Sequence, residues 1–318
     1  MGFDMSTVLA VALGMALIAV ALYAWLLLRV GAGPSHEQVP GAVYRVGACW
    51  VYRLPASSGR ARHTVVAVHG FLQSPAYFMG LYRDCPDTEV ILVGSGDYHQ
   101  ALGAEQQGDS SWAQPPAAPL GTIAYDAEVL RQALANLASG DTVWLHGHSR
   151  GGAVVVDAVR KDPALFDHKR LILEAPVLPQ GRLFRPLPRG AVLLLPCLLP
   201  AWRRHPINER MRLVLGRLRD EHKHRLMAAM PHNPRRAITV MRNLRDIEAW
   251  MRRYGTDLLA GLPDAVVLVT PQDRILDAES MQRSAEDGGD HVRIQSVRGV
   301  SHFISIDRPS AVTALYEA

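Results

Sequence analysis

The chain has 318 residues, 48% of them hydrophobic, a net charge of +4 and three cysteines. That is ample for a large core, while Cys49, Cys85 and Cys197 are too scattered for a disulfide framework or a C-x-x-C metal knuckle. The charge is uneven: residues 177–262 hold 17 Lys+Arg against 6 Asp+Glu, a net of +11, which leaves −7 for the rest of a chain totalling +4. A basic segment without a recognition motif argues against nucleic acid as a partner and suits one face that meets something anionic.

Residues 7–28 form an uncharged apolar run. At ~1.5 Å per residue it is long enough to cross a ~30 Å hydrocarbon core. Tyr23 and Trp25 lie towards one end, as interface anchors do. The leader M-G-F-D-M-S lacks Lys and Arg, and no clear A-x-A site follows, which favours an uncleaved single-pass anchor over residues 1–30 rather than a signal peptide. Arginines at 29, 45, 53, 60 and 62 follow the span, so the positive-inside rule places the body on the cytoplasmic side. Residues 31–40, rich in Gly and Pro, read as a linker, and 41–318 as the globular body.

In the body, residues 43–54 and 63–69 read as a first pair of strands, the second ending in His69-Gly70-Phe71. Residues 89–93 are a short buried strand, followed by a turn-rich loop to about Gly121. Ile123, Val129 or Leu130, Leu134 and Leu137 recur near helical spacing, as in an amphipathic helix. A strand over 143–146 then runs into Gly147-His148-Ser149-Arg150-Gly151, and the next residues continue as a helix. Further strands fall at 171–173, 265–270 and 292–297. Apolar strands alternating with helices imply a mostly parallel sheet covered on both faces.

Residues 177–262 interrupt the alternation as a basic helical cap or lid. Residues 191–202 are apolar and broken by Pro196 and Pro200, and helices are expected over 209–230 and 235–254. Such a cap buries its apolar faces on the body, and its arginines can face an anionic membrane surface. His222, His224 and His232 sit in an Arg-rich stretch and read as a solvated face, so neither a metal nor a cofactor is expected.

The pentapeptide carries the chemistry. A serine between a strand and a helix sits at a sharp bend that exposes its hydroxyl, and the flanking glycines allow strand and helix to pass closely. The hydroxyl needs a base, an acid to orient the base, and donors for the oxyanion. His302, in the Gly-containing loop after the last strand, is placed to be the base. Asp273, just past the strand 265–270, is the favoured acid, with Asp277 and Glu174 as competitors. The backbone N–H groups of Arg150 and Phe71 are the candidate oxyanion donors.

With H-G-F, G-H-S-R-G, the Asp273 loop and the His302 loop in this order, the chain resembles the α/β-hydrolase superfamily from about residue 43 onwards. The resemblance implies an eight-stranded, mostly parallel sheet with helices on both faces and a cap after the sixth strand. It also implies acyl-enzyme catalysis by Ser149, His302 and Asp273. Anchor, apolar cap and basic lid together point to an acyl ester or lipid substrate for an esterase, lipase or lysophospholipase. A thioesterase or acyltransferase would use the same triad. The rival from another class is a non-catalytic, membrane-tethered binding protein on the same fold.

Overall fold

In the computed structural model, which describes residues 4–28, 38–96, 102–185, 190, 212–216, 223 and 236–316, the apolar runs assemble into one nine-stranded sheet. The strands are β1 (Gln38–Val46), β2 (Cys49–Leu54), β3 (His63–Val68), β4 (Thr88–Val93), β5 (Gly103–Gln107), β6 (Thr142–His148), β7 (Arg170–Glu174), β8 (Ala265–Val269) and β9 (Val292–Ser296). Their spatial order is β5-β1-β2-β4-β3-β6-β7-β8-β9. β2 is antiparallel to β1 and β4, and every other pairing is parallel.

The continuous apolar runs are explained by burial on two sides. In β3, Val66 and Val68 face one core while Val65 and Ala67 face the other. In β8, Val267 and Val269 face the first and Val266 and Leu268 the second. The first core is closed by α2 (Ile123–Leu137), α3 (Arg150–Lys161), α4 (Ala237–Arg253) and α5 (Ala278–Glu286). The second is closed by the turn Pro75–Phe78 and by α6 (Ser310–Tyr316). This is the two-sided α/β architecture expected from the sequence.

Three details differ from that expectation. Residues 43–54 fold as a hairpin of two strands, not one. β1 begins at Gln38, inside the stretch read as linker. The long loop after β4 contains β5, a ninth strand that pairs with β1 across a gap of more than sixty residues. β5 reads G-A-E-Q-Q, with no apolar alternation to announce it, and its pairing is fixed by backbone hydrogen bonds and by Glu105, whose carboxylate accepts the Gly41 N–H at 3.1 Å.

The insertion follows β7, which is the sixth strand once β5 is set aside. Its second expected helix is α4, whose Val240, Ile247, Trp250 and Met251 are buried. Of the first, the turn Arg212–Leu215, Gly216 and Lys223 are described, and the remainder, with residues 191–202 and His222, His224 and His232, lies outside the described residues. At the N-terminus α1 (Met5–Leu28) is one continuous helix, and its large aliphatic side chains as far as Leu22, together with Trp25, are exposed. Residues Met5–Trp25 are long and apolar enough to cross a membrane.

Candidate active site

β6 and α3 meet at a single residue, Ser149, which takes φ 53° and ψ −118°. A non-glycine residue held there stores on the order of 1–3 kcal/mol of strain. The surrounding glycines are required by contact. A Cβ on Gly147 would lie 2.6 Å from the Gly151 carbonyl oxygen, and one on Gly151 would lie 2.0 Å from that of Val68. The bend is held by Ser149 N–H donating to the Glu174 carbonyl (2.9 Å) and by Val177 N–H donating to the Ser149 carbonyl (2.9 Å).

The loops after β8 and β9 bring Asp273 and His302 together. His302 Nδ1 lies 2.6 Å from Asp273 Oδ2, with both side chains buried. The second carboxylate oxygen accepts the N–H groups of Ile275 (2.8 Å) and Leu276 (2.9 Å). Burial alone would raise the Asp273 pKa; the His302 ring and these donors outweigh it and hold the carboxyl below the usual range. Of its competitors, Asp277 caps α5 by accepting the Ser280 N–H at 2.8 Å.

Glu174 is committed elsewhere. It accepts hydrogen bonds from the Tyr77 hydroxyl (2.8 Å), the Ser305 N–H (2.7 Å) and the Ser305 hydroxyl, and pairs with His146 Nε2 (3.0 Å). The Tyr82 hydroxyl meets the other nitrogen of His146 at 2.8 Å. Burial pushes the Glu174 pKa up, but the neighbouring His148 and His146 and the donated bonds bring it down to about 2.

The turn after β3 lies against Ser149: a Cβ on Gly70 would be 2.9 Å from Ser149 Cβ and from His148 Nδ1. The Ser95 N–H donates to His69 Nε2 (3.1 Å), so the ring proton sits on Nδ1, which donates to the Gly70 carbonyl (2.8 Å). The same carbonyl accepts the Gln73 N–H (3.3 Å). Fixing that carbonyl fixes its peptide plane, and in a trans peptide the Phe71 N–H then points the opposite way. Val240 and Leu244 of α4 form a small apolar cluster with Phe71, Leu72 and Met241, laying the insertion over this turn.

Three features escaped the sequence reading. Arg150, considered there for its backbone alone, is only 1% exposed, and its guanidinium pairs with Asp126 of α2 (2.6 Å) and reaches the Ser95 hydroxyl (3.3 Å). The signal was present: Asp126 stands on the apolar stripe of α2, three residues after Ile123 and four before Leu130, where a carboxylate needs a partner. Lys223, within the insertion, is buried against Asp307, and the other oxygen of Asp307 accepts the N–H (2.6 Å) and hydroxyl (2.7 Å) of Ser301, beside His302. The third is His148, fully buried between the turn after β3 and the loop after β9.

Burial lowers the pKa of His69 to about 3 and of His148 to about 4. The unfolded chain binds these protons near pH 6.5 and the folded one does not, so stability falls as pH drops below about 6.5. Between pH 7.5 and 5 the two groups together are expected to cost about 4 kcal/mol. Urea unfolding at the two pH values measures it, and equal midpoints would exclude neutral buried histidines.

These features define an α/β hydrolase. A family model described as serine aminopeptidase, S33 (Hydrolase_4) matches residues 107–309, well over half of the chain, and the chain belongs to that family. Among solved structures, an esterase from Exiguobacterium antarcticum superposes with a TM-score of 0.60 at 15% identity, covering 87% of this chain and 100% of that one. A monoacylglycerol lipase from Paleococcus ferrophilus gives 0.57 at 16%, covering 84% and 97%. A thermophilic esterase from Thermogutta terrifontis gives 0.55 at 20%, covering 85% and 92%. At these identities the likeness is one of fold. No curated protein sequence matches the chain.

Proposed function

We propose that the protein is a membrane-tethered serine hydrolase that cleaves carboxylic esters of acyl-chain substrates. Ser149 is the nucleophile, His302 the base and Asp273 the acid that orients it. The observation that carries this reading is the buried 2.6 Å pair of His302 and Asp273, with the His302 carbonyl oxygen 3.1 Å from the ring of His148, the residue before a serine strained at an elbow. His302 takes the hydroxyl proton as Ser149 attacks the carbonyl carbon, and the N–H groups of Phe71 and Arg150 receive the oxyanion. His302 returns the proton to the leaving alcohol, and water then repeats the cycle on the acyl-enzyme. Ionised Asp273 stabilises the imidazolium formed in each half.

The apolar cluster of Val240, Leu244, Phe71 and Leu72 supports an acyl chain beside the turn. The exposed apolar α1 supports a tether, and the basic insertion a negatively charged surface next to it. The arginines after α1 favour the cytoplasmic side.

The test is a substrate panel on the detergent-solubilised protein: p-nitrophenyl esters of increasing chain length, lysophospholipids, an acyl thioester and an aminoacyl nitroanilide. The ester reading expects kcat/KM to rise with acyl length. Turnover of the nitroanilide or thioester alone would replace it with an amidase or thioesterase reading.

A further inference from the structure

The residue before the nucleophile touches both loops on which catalysis depends. His148 Nδ1 lies 2.8 Å from Gln73 Oε1, and that same oxygen accepts the Gly70 N–H at 2.9 Å. The atom facing the ring is therefore an acceptor, and the amide cannot be reversed without opposing two donors at Gly70. His148 Nε2 lies 3.1 Å from the backbone carbonyl oxygen of His302. The ring stacks on Tyr77 (centroids 4.5 Å apart, 19° between planes) and meets the His302 ring edge-on at 4.9 Å. Tyr77 is in turn bonded to Glu174, so the stack stands on the buried carboxylate network.

We propose that His148 is a positioning residue that ties the oxyanion turn and the base loop to the nucleophile through its two ring nitrogens. Ser149 follows His148 directly, so a ring fixed by the fold fixes both loops relative to the serine. The oxyanion turn is reached through Gln73 to Gly70, one residue before the Phe71 donor. The base loop is reached at His302 itself, by its carbonyl, which leaves the His302 ring free to move protons while its backbone is held. Burial keeps the ring neutral, so its single N–H donates to one of the two acceptors and the fixed ring holds the other loop by close contact, at Gln73 on one side and at the His302 carbonyl on the other.

This rests on the serine-hydrolase reading, and the experiment separates the two. The full chain in detergent is first exposed to a fluorophosphonate; a wild type that takes up no probe removes that reading, and the strut with it. Given a labelled wild type, kcat and KM for p-nitrophenyl butyrate are measured for His148→Phe, His148→Asn and His148→Gln. Phe keeps the ring that stacks on Tyr77 and removes both nitrogens, Asn restores a donor near Nδ1, and Gln restores one near Nε2. The strut predicts a fall in kcat of roughly 10- to 100-fold for Phe, with KM within about twofold. It also predicts at least a severalfold recovery of kcat in one of the two amides. Wild-type kinetics in His148→Phe, or equal losses in all three variants, would overturn it, because the packing of the ring and not its nitrogens would then be what matters.

Discussion

Ser149→Ala is expected to abolish fluorophosphonate labelling and to lower kcat on an activated ester by roughly 10⁴- to 10⁶-fold. It should do so without loss of stability, because the Ser149 backbone, not its hydroxyl, holds the elbow to Glu174 and Val177. Ser149→Gly should be equally inactive yet more stable, since glycine occupies φ 53° without the penalty a Cβ brings. A thermal midpoint for the glycine variant above that of wild type is the expected sign of strain stored at the elbow. Labelling that survives Ser149→Ala would place the nucleophile elsewhere.

The second large effect concerns stability. Asp126→Ala leaves the buried Arg150 guanidinium without its paired carboxylate, and Nε and Nη2 of Arg150 already have no hydrogen-bond partner among the described residues. An uncompensated buried charge of this kind costs about 3–5 kcal/mol. Removing both charges, in Asp126→Leu with Arg150→Met, should recover most of that loss, because each partner's desolvation disappears with it. Urea unfolding of the two variants decides: a double variant no more stable than the single would mean that the pair contributes through its shape and its contact with Ser95, not through its charge.

The sequence carried the central part of this fold because its signals are local. Apolar runs such as V-V-A-V and A-V-V-L-V can be strands only where both faces are covered, and the glycines around Ser149 fit only a close strand–helix crossing. His302 and Asp273 were legible as residues just past predicted strands, and the structure brings them within a hydrogen bond of each other. What was not legible depends on partners far apart in the chain. Glu174 stood at a strand end suited to a catalytic acid, and only the positions of Tyr77, His146 and Ser305 show that its oxygens are engaged. The side chain of Arg150 is buried because Asp126 waits on another helix. β5 has no pattern of its own and exists because β1 offers it a row of backbone groups.

That ninth strand bears on how copies of the chain behave beside one another. Without it, β1 would be the free edge of the sheet, nine residues long and directly after the residues that lead from α1. The edge presented instead is five residues long, half exposed, and carries Glu105, Gln106 and Gln107. The opposite edge, β9, is also five residues long and includes Arg293 and Gln295. Both margins are thus short and polar, poor templates for pairing with a neighbouring sheet. Were α1 to serve as the proposed tether, crowding on a surface would bring copies of the body edge to edge, and these two margins would offer them little to pair through.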